Sequence, residues 1–163
     1  MIFVTVGTHE QPFNRLVEYM DKWASEHEEN VVIQTGFSTY KPQNCQWQKL
    51  YPYSEMIKNV ERARIVITHG GPSSFILPLQ IGKVPVVVPR KHEFGEHVND
   101  HQVDFCNQVA RRQGNIIVVE DVKILGDILD RYEEIVESIK NVLISNNEKF
   151  CEEFNKIVDD LVG

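Results

Sequence analysis

Residues 64–74 read RIVITHGGPSS, an apolar stretch that runs directly into two glycines and two serines. The first five residues, 64–68, predict a buried strand, because β-branched side chains dominate them. Residues 73–81 predict a short helix, which Pro78 should bend or shorten. A strand, a glycine turn and a helix in this order indicate an α/β fold with a ligand site at the carboxyl end of the strand.

The same alternation of strands and helices continues on both sides of this turn. The strands are uniformly apolar, which is typical of a parallel sheet covered on both faces. We expect one α/β domain over residues 1–163, with a doubly wound, Rossmann-like core of about six parallel strands (1–120) and C-terminal helices (121–163). The first and fourth strands should be neighbours. The predicted strands are 1–6, 31–34, 46–50, 64–68, 84–88 and 116–119, and the predicted helices 12–24, 54–63 (capped by Ser54), 73–81, 99–113, 122–143 and 148–162.

Composition excludes several classes of protein. The 163 residues carry a net charge of −7, and this argues against nucleic acid as a partner. An apolar content of 42% excludes disorder. No apolar run approaches the roughly 18 residues of a membrane span, and the start lacks the features of a signal peptide. The acidic excess lies in residues 120–163, which should not bind an anionic membrane unaided. Cys45, Cys106 and Cys151 form no C-x-x-C pair, so we expect reduced cytosolic thiols and no metal site.

The turn HGGPSS at residues 69–74 has the features of a phosphate site. Its two glycines allow close approach of the backbone, and its serines begin a helix whose free N–H groups and dipole favour an anion. The His69 ring can donate a hydrogen bond to a phosphate oxygen. A plain turn before a capped helix would have the same spacing, so spacing alone leaves both interpretations open. Neither a Walker loop nor G-x-G-x-x-G is present, and this disfavours nicotinamide dinucleotides.

The stretch from His69 to Gln102, HGGPSSFILPLQIGKVPVVVPRKHEFGEHVNDHQ, resembles the donor-binding segment of GT-B nucleotide-sugar glycosyltransferases, in the family 28 C-terminal domain. The segments IFVTVGTHEQPFNRLV and IQTGFSTY are similar to stand-alone bacterial halves that add galactose or glucuronic acid to lipid-linked glucose. The catalytic subunit of the two-part enzyme that makes dolichol-linked chitobiose is a further relative. The resemblance covers about residues 1–120 and implies the C-terminal half of a GT-B enzyme.

The resemblance also implies a role for each polar group. The HGGPSS turn would hold the UDP pyrophosphate, Tyr51 the uracil, and the pair at 101–102 the sugar hydroxyls. Leu77 occupies the position of a ribose-binding glutamate, so that Glu93 or Glu96 substitutes, the ribose is held less tightly, or donor affinity is lost. The general base would lie on the partner, with His9 as a local candidate. The implied donor-binding residues are Gly7, Thr8, Tyr51, His69, Gly70, Gly71, Ser73, Ser74, Arg90, Glu96, His97, His101 and Gln102.

The implied activity is inverting transfer of a hexose from a UDP-sugar, with no cofactor and no required metal. The favoured reaction is β-1,4-galactosyl transfer to a lipid-linked glucose in capsular or exopolysaccharide synthesis, while glucuronic acid and N-acetylglucosamine remain open as donor sugars. A separate membrane-anchored subunit would bind the acceptor and hold this cytoplasmic chain at the inner face of the membrane. One alternative is a non-catalytic enhancer of a partner glycosyltransferase. Another is a phosphate-binding α/β protein unrelated to sugar transfer, such as a nucleotide epimerase or a sensor.

Overall fold

The computed structural model describes residues 1–141, in which one open sheet of six parallel strands forms the core. The spatial order is β3-β2-β1-β4-β5-β6, so the predicted doubly wound, Rossmann-like sheet is confirmed. The predicted neighbours β1 and β4 pair in register from Ile2 with Ile65 to Thr5 with Thr68. The strands are β1 (Ile2–Thr5), β2 (Val31–Gln34), β3 (Gln46–Gln48), β4 (Ile65–His69), β5 (Val86–Val88) and β6 (Ile117–Val118).

Helices connect the successive strands except β2 and β3, which residues 35–45 join without a helix. Residues 1–130 form one compact unit, and residues 131–141 are the described part of a second, which is helical over residues 132–141. Short 3₁₀ turns lie at His92–Phe94 and Val122–Ile124. No helix within residues 1–141 has both the length and the apolar character needed to cross a bilayer. The helices of the first unit are α1 (Asn14–Glu26), α2 (Tyr53–Arg62), α3 (Pro72–Gln80), α4 (His101–Gln113) and α5 (Leu125–Asp130).

The apolar runs of the sequence form the central strands, where the sheet is covered on both faces. All residues of β1, β2, β4 and β5 are buried, whereas the edge strand β3 is exposed. The helix α1 covers the sheet with Leu16, Val17, Met20 and Trp23, which recur at helical spacing and are buried.

The helix predictions differ from the structure in their bounds: α3 begins one residue before the predicted 73, and α4 begins two residues after the predicted 99. Ser54 does not cap α2, which begins one residue earlier after Pro52 and has no side-chain cap. The helix α1 begins at Asn14 rather than at residue 12, because Phe13 has non-helical dihedrals and donates its N–H to Ser38 Oγ (3.0 Å). The single helix predicted at 122–143 is divided at residue 131, and residues 142 and 143, like the helix predicted at 148–162, lie outside the described residues.

Candidate functional site

The carboxyl ends of β1 and β4 open into a cleft of about 1040 Å³. The strand order reverses at this point, and this is where doubly wound sheets usually bind ligands. The polar residues of the lining come from the strand ends, the turns after them and the starts of α3 and α4: Thr5, Gly7, Thr8, His9, Glu10, Gln34, His69, Ser73, Ser74 and Gln102. The remaining lining residues, which are mostly apolar, come from α2, the segment before it and the second half of α3: Leu50, Tyr51, Tyr53, Met56, Val60, Ile76, Leu77 and Gln80.

The cleft brings together many of the residues that the sequence singled out. Those in its lining are Gly7, Thr8, His9, Tyr51, His69, Ser73, Ser74 and Gln102. Those outside its lining are Gly70, Gly71, Arg90, Glu96, His97 and His101.

His69 ends β4 and is 7% exposed. Its Nδ1 accepts a hydrogen bond from the Gly71 N–H (3.1 Å), so the ring proton must lie on Nε2. Nε2 then donates to Ser74 Oγ, at 2.7 Å. Burial, with the nearby positive charge of Arg90 as the second cause, lowers the pKa of His69 to about 3. The ring is therefore neutral at physiological pH, and its donation to Oγ leaves the Ser74 hydroxyl hydrogen available to a ligand.

The glycines of the two turns are required by the packing around this imidazole. A Cβ at Gly7 would lie 2.2 Å from His69 Nε2, and a Cβ at Gly71 would lie 2.3 Å from His69 Cε1. Gly7 also has a φ of +75°, a conformation that side chains rarely adopt. At Gly70 a Cβ would lie 2.9 Å from Cys106 Sγ on α4. Sequence analysis explained the glycines by the approach of a ligand, whereas the structure shows that they make room for protein atoms.

The N-terminus of α3 opens into the cleft. Gly71 is the N-cap residue and no side chain caps the helix, while Ser73 and Ser74 of the first turn line the cleft. Pro72 occupies the first helical position, where its missing N–H has no consequence. The helix dipole and the two hydroxyls are thus directed at the same space, and this arrangement favours a bound anion.

Gln102 joins three parts of the site. Its Oε1 accepts the N–H of Gly70 (3.2 Å) and the N–H of Arg90 (3.1 Å), and its Nε2 lies 3.4 Å from His69 Nδ1. The side chain thereby ties the ends of β4 and β5 to the start of α4. His101, the preceding residue, is exposed and donates its backbone N–H to Asn99 Oδ1 (3.0 Å).

Arg90 and Glu96 are buried and engaged by the protein. The Arg90 guanidinium donates to backbone carbonyls, and the Glu96 carboxylate accepts two hydrogen bonds from Arg15, at 2.9 and 3.0 Å. Glu96 Oε1 also accepts the Lys91 N–H (3.1 Å). Neither side chain presents a polar group to the cleft. Glu96 is therefore not free to replace the glutamate missing at Leu77, and Glu93 lies outside the lining.

Two histidines stack at the mouth of the cleft. The rings of His9 and His97 lie 4.8 Å apart between centroids and 10° from parallel, with His9 in the lining. His9 Nε2 lies 2.9 Å from Gln11 Oε1, so Nε2 carries the proton and Nδ1 has the free lone pair. Burial, followed by the neighbouring His9, lowers the pKa of His97. The stacked histidines thus place the lone pair of His9 Nδ1 near the polar residues of the cleft lining.

The segment at Tyr51 is positioned by a residue that the sequence analysis missed. Gln34, at the carboxyl end of β2, accepts the Tyr51 N–H on Oε1 (2.9 Å) and donates from Nε2 to Thr5 Oγ1 (3.1 Å). The Tyr51 ring packs edge-on against Phe3, with centroids 6.1 Å apart, and Leu77 packs on the same apolar cluster. Burial raises the pKa of Tyr51, which keeps its hydroxyl protonated. A polar residue that ends an apolar strand was the signal that could have identified Gln34.

Comparison with known proteins places this site in a family. The glycosyltransferase family 28 C-terminal domain model matches residues 1–161. The crystal structure of the glycotransferase of kitacinnamycin superposes with a TM-score of 0.63 at 17% identity, covering 87% of this chain and 38% of that one. The chain thus spans less than half of that protein, and the likeness shows a shared fold. None of the curated proteins compared matches the chain. Because the family model matches almost all of its length, the chain belongs to the glycosyltransferase family 28 C-terminal domain family.

Proposed function

We propose that this chain is the donor-binding and catalytic subunit of an inverting glycosyltransferase that uses a UDP-sugar. The observation that carries the proposal is the uncapped N-terminus of α3, which opens with the hydroxyls of Ser73 and Ser74 into the cleft between β1 and β4. A phosphate group fits this arrangement. The apolar side of the same cleft, which includes Tyr51, offers a surface on which a base can pack. Family membership supports sugar transfer as the reaction.

The reaction follows from this placement of the donor. The acceptor hydroxyl attacks the anomeric carbon as the bond from that carbon to the UDP oxygen breaks, so the configuration inverts and the electron pair leaves with UDP. The α3 dipole and the Ser74 hydroxyl stabilise the charge that develops on the leaving diphosphate. His69, neutral and buried, orients Ser74 rather than exchanging a proton. The acceptor proton passes to a general base on the partner, with His9 Nδ1 as the local candidate.

The lining of the cleft favours a neutral donor sugar. Among the described residues that form it there is no lysine or arginine, and Glu10 contributes a carboxylate. A uronic acid would therefore meet a like charge without a compensating cation. This favours galactose or N-acetylglucosamine over glucuronic acid, and within the proposal the reaction is β-1,4-galactosyl transfer to a lipid-linked glucose in capsular or exopolysaccharide synthesis. A membrane-anchored acceptor subunit would hold the chain at the inner face of the membrane.

A non-catalytic enhancer is the second candidate, and Leu77 favours it. This side chain lines the cleft and packs with Tyr51 and Met56 on an apolar cluster. It presents no acceptor for a ribose hydroxyl at the position where related motifs carry glutamate. An enhancer would stimulate a partner glycosyltransferase without binding the donor.

Calorimetric titration with UDP and ADP tests the proposal. We expect UDP to bind in preference to ADP, His69→Ala to abolish UDP binding and sugar transfer, and the fold to remain intact. His27→Ala is the matched control, since His27 stacks on Trp23 at the end of α1 and lies outside the cleft lining. Unchanged turnover in His69→Ala would contradict the proposal.

The same titration separates the alternatives. Equal affinity for UDP and ADP would favour a general phosphate-binding protein. Absence of UDP binding, together with stimulation of a co-purified membrane partner, would favour the enhancer.

A further inference from the structure

The cleft has no exposed positive charge with which to neutralise a diphosphate. Its described lining contains neither lysine nor arginine, and Glu10 adds a negative charge. The α3 dipole supplies only about half of one charge, and a diphosphate carries more than that. Another source of positive potential is therefore needed if the proposed function holds, and this inference rests on that function.

Arg90 has the properties of such a source. It is 0% exposed, and its guanidinium donates to the carbonyls of Val6 (2.6 Å), Gln11 (2.7 Å) and Glu96 (3.0 Å). All of these partners are neutral backbone groups, and Nε has no hydrogen-bond partner. Within residues 1–141 no carboxylate lies at ion-pair distance from this guanidinium, since the Glu96 carboxylate is paired with Arg15. Burial lowers the pKa of Arg90 to about 10, so the group remains charged at neutral pH.

Arg90 lies close to the turns after β1 and β4. Nη2 bonds the carbonyl of Val6, the residue immediately before Gly7, and the Arg90 N–H shares Gln102 Oε1 with the N–H of Gly70. The charge therefore lies behind the backbone of the polar side of the cleft. The Arg90 charge also contributes to the lowered pKa of His69, which lines the cleft.

We propose that Arg90 is a positioning residue that supplies a buried positive charge to the bound diphosphate without touching it. The Glu96 carboxylate raises the pKa of Arg90 but is ion-paired with Arg15, so the two arginines share one carboxylate and keep an excess positive charge. A bound anion would offset the cost of burying that charge. The guanidinium also holds the turn after β1 through its bonds to Val6 and Gln11. The positive charge and these hydrogen bonds, which we call the tether, have different expected effects on UDP binding. Two matched variants separate them.

Arg90→Lys and Arg90→Met both lose the guanidinium fork, but only the first keeps a charge. The quantity measured is the ratio of UDP affinity to uridine affinity. Calorimetry gives the UDP affinity, and NMR titration gives the uridine affinity where binding is weak. We expect Arg90→Met to lower this ratio about tenfold, the effect of a unit charge across roughly 10 Å at an effective dielectric constant near 20, and Arg90→Lys to retain most of it. Arg15→Lys disturbs the same loop at constant charge and should leave the ratio unchanged.

Equal ratios in Arg90→Met and Arg90→Lys would overturn the role of the charge and leave only the tether. If the wild-type chain binds no UDP, the proposed function fails and this inference fails with it. If UDP binds but the ratio is insensitive to Arg90, the inference alone fails.

The wild-type protein provides a test that does not depend on whether the variants fold. A buried charge is screened much less by salt than an exposed one. We expect UDP affinity to fall less than about threefold between 50 and 500 mM NaCl, whereas contacts from exposed cations would give a fall of about tenfold or more. The steeper dependence would contradict the proposal.

Discussion

The turns after β1 and β4 leave neighbouring strands at the same edge of the sheet, but the helices that follow them begin in different surroundings. Near the start of α1, the Phe13 N–H donates to Ser38 Oγ (3.0 Å), and the Asn14 side chain bonds Thr39 Oγ1 (2.7 Å). The helix α3 begins directly after Gly71 without a side-chain cap, and its first turn lines the cleft.

This difference indicates that position at the carboxyl edge of a sheet is not enough for a helix to take part in a site, because its first turn must also face the cleft. Neither helix has a side-chain cap, and the N–H of each N-cap residue donates to a side chain, Ser38 Oγ for Phe13 and His69 Nδ1 for Gly71. The helices differ in whether their first turn lines the cleft. The helix α1 is a scaffold, because it also carries Arg15, which holds the loop at Glu96. In the proposed function, the helix α3 is the binding element. Three pairs of substitutions test this division.

The largest effect is expected from Gly7→Ala, in the turn after β1. The new Cβ would lie 2.2 Å from His69 Nε2, where Nε2 now donates to Ser74, and the φ of +75° would be strained as well. We expect a loss of about 3 kcal/mol in the free energy of unfolding and at least a 30-fold loss of UDP affinity, measured by denaturant unfolding and calorimetry.

Gly82→Ala is the control for the backbone contribution. Gly82 has a φ of +81°, but a Cβ there would meet nothing within 4 Å. We expect a loss of only about 1 kcal/mol and no change in UDP affinity. Equal losses of stability and of UDP affinity in the two variants would contradict this prediction. They would mean that the contact of a Cβ at position 7 with His69 has no effect beyond backbone strain.

Smaller effects are expected from one serine beside each helix start, on UDP affinity for Ser74 and on stability for Ser38. Ser74→Ala removes the hydroxyl that His69 orients, so UDP affinity should fall about tenfold with little change in stability. Ser38→Ala removes the acceptor for the Phe13 N–H, so the free energy of unfolding should fall by about 1 kcal/mol with UDP affinity unchanged. The pair is compared by thermal unfolding and by calorimetry. A loss of UDP affinity in Ser38→Ala would end the distinction between scaffold and binding helices.

Local pattern was sufficient to predict much of this architecture. Uniformly apolar strands that alternate with amphipathic segments predicted the parallel sheet and the pairing of β1 with β4, because both properties depend on local periodicity and on a common topology. The glycine and serine run at 69–74 predicted the open start of α3, since a strand, turn and helix in succession leave little freedom in where the helix N-terminus points.

The remainder of the site depends on contacts between distant segments. Nothing local to Gly7 shows that His69 needs the space where a side chain would be. Arginine is a residue type that often contacts ligands, but Arg90 is buried because carbonyls of the turn after β1 and of its own loop surround its guanidinium. Gln102 was predicted to contact the sugar hydroxyls, and it lines the cleft, but its Oε1 also accepts backbone N–H groups from the segments after β4 and β5. These roles arise from the sheet order, which brings residues far apart in sequence to one edge.

The smallest effect on UDP affinity, together with a stability effect that depends on pH, is expected at Asp21, a buried residue of the scaffold helix α1. Its carboxylate accepts hydrogen bonds from the Tyr40 hydroxyl (2.6 Å) and from the N–H groups of Gln43 (3.0 Å) and Asn44 (2.7 Å). Burial by itself would raise the pKa of Asp21, but these hydrogen bonds outweigh it and hold the pKa below its ordinary value of 3.8. The ionised form is thus the one that anchors the loop containing Tyr40.

A carboxyl group whose pKa is lower in the folded than in the unfolded state stabilises the fold above its unfolded pKa, and this contribution is lost as the pH falls through the folded value. Asp21→Asn should therefore reduce the free energy of unfolding by about 1–2 kcal/mol at pH 7 and by progressively less as the pH falls below about 4. Urea unfolding at pH 7, 4 and 3 measures this, with Glu18→Gln as an exposed control on the same helix. UDP affinity at pH 7 should be unchanged, since α1 contributes no group from its body to the cleft lining. A difference between wild type and Asp21→Asn that stayed constant over this range would mean that the anchor depends on shape and not on charge, and a loss of UDP affinity would make α1 part of the binding apparatus.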